Sequence, residues 1–388
     1  MSSTEIVKNR FLGFLIWQSI HSTSIFLFCK TFFLSPFTSN PLSPSLLSLL
    51  AFLSFHLSLL LFSTSLSIIS SPQPDRPASL LELALGLVRF LLNSVTGCGS
   101  SEIWTPSFRR RVKTSLGFLL FIIASAVSGF LSVFSICWNL ELFDGMRLIG
   151  LGLRGFSFGL VYGVHYVYKR RWVLGFPIIQ RPPFFSFKMG LPSAIGQALK
   201  LSSAAVLFST VVVVFLPDPF KSHSTMGHFI VEQIIFYIGS TAIFLCWELS
   251  HHLHQVLHTK RCIFAPPKGS AAAETNPSEP LLAALEESTP RSLLQYLAYL
   301  DLCMVCESNV DTWRRAAFFE ETGETYKRVV AVCLRPLEQL TSNLGEGLGG
   351  SVDKTDQLSR QLRSPTDTKV ESKLHELFNE FQVLLLLT

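Results

Sequence analysis

The sequence predicts an all-α polytopic membrane protein: six transmembrane helices and a small helical cytoplasmic C-terminal region. Three observations predict it. Six long apolar runs lie in the first 250 residues, the basic residues between them fall almost entirely in every second gap, and the composition turns polar after His258. The overall make-up agrees, with 48% hydrophobic residues, only 15% charged and 34 phenylalanines, so a bundle immersed in lipid is favoured over a water-soluble core.

A hydrocarbon core of about 30 Å needs roughly 20 apolar residues of helix to cross it. Runs of that kind are found near Phe11 to Leu34, Leu46 to Ile69, Ser115 to Trp138, Leu148 to Tyr168, Leu199 to Leu216 and His228 to Leu249. The first is too long for the apolar stretch of a cleaved signal and lacks a small-residue cleavage site, so it reads as a signal anchor. Orientation follows from the gaps, because cytoplasmic loops retain Lys and Arg. Arg76, Arg89, Arg109, Arg110, Arg111 and Lys113 lie between runs two and three, and Lys169, Arg170, Arg171, Arg181 and Lys188 between four and five. The other gaps hold only Lys30 at an edge, Arg147 and Lys221. Lys8, Arg10, Lys260 and Arg261 put both termini on the basic, cytoplasmic side and leave very short lumenal loops.

The segment Leu80 to Asn93 is apolar but only about 21 Å long as a helix, too short to cross. A seventh span there would also force Arg109 to Arg111 to the poor side. Its polar residues Glu82, Gly86, Arg89 and Asn93 form one narrow stripe, which suits a helix lying in the membrane interface or one packed on the bundle. The eight cysteines are scattered and imply no disulfide framework. Asn276-Pro277-Ser278 is barred from glycosylation by its proline.

Residues 1–250 therefore read as the membrane domain, 251–291 as a juxtamembrane helix and linker, and 292–388 as the helical region. The linker from Ala265 to Arg291 is rich in Pro, Ser, Ala and Glu, with one short helix at Leu281 to Glu287. Beyond it Ser292 to Glu307, Asp311 to Glu320 and Thr325 to Leu344 carry helical periodicity, with Gly345 as the expected C-cap. A further helix is expected from Val370 to about Val383. The apolar ending Phe381 to Thr388 reads as a truncated or alternatively spliced tail.

Few residues suggest chemistry. Glu248, His251, His254 and His258 share one helical face and could form a three-His metal site, but His252 and the other histidines supply no second box. A polar cap where span six leaves the bilayer is the preferred reading. Cys303 and Cys306 form a single C-x-x-C without a second ligand pair and read as helix core. No G-x-S-x-G and no phosphate-cradling glycine loop occurs. No catalytic, cofactor-binding or metal residue is assigned. Within the spans stand Arg154, His21, His56, His165, Lys30 and Glu232. Arg154 sits among Gly150, Gly152, Gly155 and Gly159, where close helix packing is favoured, so a lone Arg buried against a partner helix or carbonyls is preferred to a conduction pathway.

The loop from Leu174 through Phe176, Pro177, Ile178, Ile179 and Gln180 to Leu191-Pro192 resembles the fourth loop of the Ndc-type six-span transmembrane nucleoporins of the nuclear pore membrane. So do Gln295 to Leu302, Trp313-Arg314-Arg315, Phe318-Phe319 and Val332-Cys333-Leu334 in the tail. Two departures are Tyr326 in place of an expected Trp and a tail shorter than is usual, giving a plant-like, short-tailed form. The resemblance implies a structural membrane nucleoporin, not an enzyme. It would reside at the pore membrane of the nuclear envelope after synthesis at the endoplasmic reticulum, anchoring the pore complex and supporting its assembly. Its tail would bind other nucleoporins, with Leu297, Asp301, Leu302, Arg314, Arg315 and Phe318 as candidate contacts. Arg109, Arg110, Arg111, Lys169, Arg170 and Arg171 would meet anionic headgroups or simply set topology. No cofactor, nucleic acid or small-molecule substrate is expected. The alternatives are an endoplasmic-reticulum transporter or channel, and a multi-pass metalloenzyme using the His251 to His258 cluster.

Overall fold

A computed structural model describes residues 3–37, 46–74, 77–79, 81–82, 84, 106–138, 140, 145–177, 179–215, 226–267, 269–287, 292–307, 312–319 and 323–358. Among them the secondary structure is helical, with one isolated bridge between Ser71 and Val173. The chain divides into two compact units, Met1–Pro177 with Arg181–Lys260, and Ile178–Gln180 with Arg261–Thr388.

The first unit contains α1 (Ser3–Phe28, continued by a π-helical turn at Cys29–Phe33), α2 (Leu46–Ile69), α3 (Pro106–Cys137), α4 (Gly145–Tyr168), α5 (Pro183–Phe215) and α6 (Met226–His258). Among the described residues six helices are long and apolar enough to cross a membrane. Several outrun the apolar stretches read from sequence: α3 begins at Pro106, α5 at Pro183, and α6 continues to His258. Backbone hydrogen bonding does not stop where lipid stops, whereas hydropathy marks only the immersed part.

Large apolar side chains cover the outside, among them Leu53, Leu57, Leu119, Ile123, Leu207 and Val211, as a lipid-facing surface requires. The interior is aromatic. Trp247 of α6 stacks on Phe62 of α2 at 4.9 Å between centroids and lies 4.8 Å from Tyr162 of α4. Small residues bring the backbones together along α3 and α4. A Cβ on Gly155 would stand 2.6 Å from the Gly129 carbonyl oxygen, and one on Gly159 would meet the Ser125 carbonyl and, at 2.9 Å, Ala126 Cα. Gly155 and Gly159 thus sit in a close helix seam. Hydroxyls add links, as between Ser58 of α2 and Ser132 of α3 at 2.6 Å. Arg10 of α1 donates to the carbonyls of Leu257, His258 and Lys260 at 3.1, 2.7 and 2.6 Å, satisfying groups that the end of α6 leaves open.

The second unit holds α7 (Ala271–Thr275), α8 (Glu279–Glu287), α9 (Leu293–Glu307), α10 (Thr312–Ala316, followed by a 3-10 turn at Ala317–Phe319) and α11 (Glu324–Leu358). Here one expectation is corrected. Gly345 does not end its helix, since α11 runs through it to Leu358. A helix-stopping glycine adopts a left-handed conformation, and the described glycines with positive φ are Gly269 and Gly323. Inside a helix a glycine costs only about 1 kcal/mol relative to Ala. The expected helix at 370–383 lies outside the described residues, as does most of 80–93. Leu81, Glu82 and Ala84 are helical, and Ser79 and Glu82 cap each other, with both backbone-to-side-chain bonds at 3.1 Å.

Candidate functional site

The basic triplets lie at one end of the α3–α4 pair. The Gly129–Gly155 and Ser125–Gly159 approaches set an antiparallel register that brings Phe118 against Trp172 at 5.1 Å, just inside both triplets. The turn after α4 is firmly pinned. Ser71 N–H donates to the Trp172 carbonyl at 3.3 Å, Leu174 N–H to the Ser71 carbonyl at 2.9 Å, and Gln255 bonds Val173 O and Gly175 N. Arg170 takes a left-handed conformation (φ 52°), uncommon without glycine, which turns the chain sharply and leaves Lys169 and Arg170 exposed.

The triplets are not uniform. Arg109, Arg110, Lys169 and Arg170 are exposed, whereas Arg111 donates to Glu82 at 2.9 Å and Arg171 turns inward. Arg171 grips Glu248 of α6 through both guanidinium nitrogens at 2.8 and 2.6 Å, and the Tyr162 hydroxyl donates to the same carboxylate at 3.2 Å. Burial alone would lower the Arg171 pKa, but the bonds to Glu248 overcome it and raise the group, so its charge is permanent. Arg171 is therefore a strut between α4 and α6, and the cationic surface offered outward is Arg109, Arg110, Lys169 and Arg170.

A similar inward turn occurs in the tail unit. The Asp301 carboxylate is fully buried and accepts from Arg261 at 2.9 Å, from Arg314 at 2.7 and 3.3 Å, and from Phe264 N–H at 2.9 Å. Arg314 also donates to the Phe264 carbonyl at 3.0 Å. Leu297, Leu302 and Phe318 are buried in the same unit. Five of the tail residues singled out by resemblance, Leu297, Asp301, Leu302, Arg314 and Phe318, hold the module together from inside. Arg315 is half-buried and donates to the Cys306 carbonyl. Among the apolar residues the module shows outside is Phe319, 70% exposed, with its ring 5.9 Å from that of Tyr326, also exposed. Sequence reasoning did not separate Phe319 from Phe318. Adjacent residues point to different sides, but the doublet does not say which is inside.

Cys303 and Cys306 depart from the expected helix core. The buried face of α9 is Leu297, Ala298, Asp301, Leu302 and Val305, leaving Cys303 half-buried and Cys306 exposed. Burial pushes the Cys303 thiol up to about 11, and Cys306 and Cys333 are raised for the same reason, so all three remain protonated near neutral pH.

Two of the ionisable residues inside the spans, Arg154 and Glu232, are joined to each other. Arg154 is not lone: it donates to Glu232 at 2.6 Å and Gln233 at 2.7 Å on α6 and to Ser209 on α5, with Phe236 under its guanidinium at 4.1 Å. The four histidines in the last turns of α6 each meet protein. His251 Nδ1 lies 2.8 Å from the Tyr166 hydroxyl, His252 stacks on Phe187, and His254 and His258 stack on each other at 3.9 Å with Phe14 edge-on. Among the described residues no group of three or more His, Cys, Asp or Glu is placed to hold a metal ion.

Compared with known proteins, the chain matches the family described as nucleoporin protein Ndc1-Nup over residues 10–383. No curated protein matches it.

Proposed function

Because the chain belongs to the Ndc1-Nup family of nucleoporins, we infer that its bundle holds the pore complex in the membrane while its tail engages soluble pore components. It is a multi-pass membrane nucleoporin of the nuclear pore. Beyond that, the reading has a structural rather than catalytic role, both termini on the cytoplasmic or pore side, and synthesis at the endoplasmic reticulum. The observation that carries it is a family match running through both the apolar helices and the helical tail, rather than through either alone.

Two surfaces then share the work. Arg109, Arg110, Lys169 and Arg170 lie on anionic headgroups, at about 1 kcal/mol for each basic residue near the surface. The exposed Phe319–Tyr326 pair supplies aromatic area of the kind that anchors protein interfaces. A fluorescent fusion should give a punctate nuclear rim. Phe319→Ala with Tyr326→Ala should keep that rim and lower recovery of soluble nucleoporins, whereas deletion of Arg291 to Leu344 should abolish it. Unchanged recovery after the deletion would remove the tail from this role, and a uniform reticular pattern of the intact chain would remove the anchor reading.

A further inference from the structure

Helix α5 is longer than a crossing needs. Its 33 residues span about 50 Å against a hydrocarbon core of roughly 30 Å, so several turns lie beyond the apolar layer. Neighbouring bonds set the level at which it leaves. Arg171 on Glu248 and Tyr166 beside His251 put that turn of α6 level with the basic turn after α4. The next residue, His252, holds α5: its ring stacks on Phe187 with centroids 5.7 Å apart, its Nε2 lies 3.2 Å from the Ser186 carbonyl oxygen, and Gly190 leaves no room for a Cβ against it. The first turns of α5 therefore cross the headgroup level with a fixed rotation.

At that level α3 and the turn after α4 expose Arg109, Arg110, Lys113, Lys169 and Arg170, while α5 exposes Phe184, Phe185 and Met189, between 57 and 70% each. Lys188 stands on the same stripe, and the Arg181 guanidinium lies 2.6 Å from Met189 Sδ. An outward face of two phenylalanines and a methionine among cations suits neither bulk water nor mid-bilayer. It matches the boundary where acyl chains meet charged headgroups. Pro192, lacking an N–H for the Lys188 carbonyl, marks the point where the helix can bend toward that boundary.

We propose that Pro183 to Leu191 is a lipid-interface anchor: Phe184, Phe185 and Met189 enter the acyl–headgroup boundary, and Arg181 and Lys188 bind the phosphates of anionic phospholipid. The anchor rests on the six-span reading and is independent of which pore components the tail binds.

The test uses the purified full chain in phosphatidylcholine vesicles with or without phosphatidylserine. The vesicles carry traces of a phospholipid whose diazirine sits either beside the glycerol or at the acyl terminus, and adducts are mapped by mass spectrometry. Residues 184–189 should be labelled chiefly by the shallow probe, several-fold more with phosphatidylserine, while Leu207 and Val211 on the same helix take the deep probe. The triple variant Phe184→Ser, Phe185→Ser, Met189→Ser should lose the shallow adducts and keep the deep ones, and Lys188→Glu should remove most of the dependence on phosphatidylserine. Deep labelling at Leu207 and Val211 with none at 184–189 would overturn the anchor alone. Loss of both in the unaltered chain would overturn the anchor together with the six-span reading. A Lys188→Glu chain with full lipid dependence would overturn the headgroup contact.

Discussion

The membrane unit and the tail unit are both helical, yet they solve opposite problems. In the tail, water drives apolar residues such as Leu297, Leu302 and Phe318 inward, and a buried carboxylate with two arginines decides how the helices dock. In the membrane unit lipid removes most of that drive, because a leucine facing acyl chains is nearly as content as one facing protein. Helix choice there falls to close backbone approach at Gly155 and Gly159, and to a few polar joints such as Arg154–Glu232 and Arg171–Glu248. Similar ion pairs thus act in different company: in the tail they refine a core that burial already favours, and in the bundle they supply much of the preference for one packing.

That contrast can be broken most sharply at Asp301. Asp301→Ala leaves Arg261 and Arg314 without their shared anion, and breaking a buried pair costs about 3–5 kcal/mol. Limited proteolysis of the full chain should show the tail opened and the spans still protected. Tail resistance equal to that of the unaltered chain would place its stability elsewhere. Next comes the seam. Gly159→Val would drive a side chain into the Ser125 carbonyl and Ala126, an overpacking that costs roughly 1–3 kcal/mol. Thermal aggregation of the detergent-solubilised chain should shift down while tail proteolysis stays unchanged.

A finer test lies at Arg154. Arg154→Met alone strands Glu232 inside the bundle, whereas Arg154→Met with Glu232→Leu removes both charges and should recover most of the lost thermal stability. If the double variant is worse than the single one, the joint matters for more than charge balance. The smallest effect is expected at Arg328, which bonds Glu279 and Glu286 on the tail surface, where such pairs contribute about 1 kcal/mol or less. Its hydrogen bonds hold the Glu286 carboxyl below the usual carboxylate range. A lowered folded-state value means that the stabilisation is complete above the ordinary carboxyl value and fades as pH falls through the lowered one. Arg328→Ala should therefore lower tail stability at neutral pH by about 1 kcal/mol or less, leave it unchanged once the carboxyl is protonated, and so flatten that acid-side decline.

Much of the architecture was legible in residues. The apolar runs announced six helices because a lipid-immersed helix must be apolar along its whole immersed length. The spacing of Gly155 and Gly159 announced a close seam, since residues four apart share a helix face. The roles of individual charges were harder to read. Arg109, Arg110 and Arg111 look alike in sequence, as do Lys169, Arg170 and Arg171, yet Arg111 and Arg171 turn to carboxylates at Glu82 and Glu248. Those partners lie 29 and 77 positions away, and only the helix register brings them near. The same distance hid Glu232 from Arg154 and Asp301 from Arg261.

By itself, the sequence determined that the chain is helical, that six segments suit a bilayer and that the tail is of another composition, since these depend on hydropathy and periodicity summed over tens of residues. Only the tertiary structure decided which phenylalanine of a doublet is buried, which arginine of a triplet stays exposed, and that α5 presents Phe184, Phe185 and Met189 outward beside His252. The reason is physical: the rotation of a helix about its axis is settled by what it packs against, and that neighbour comes from a distant part of the chain.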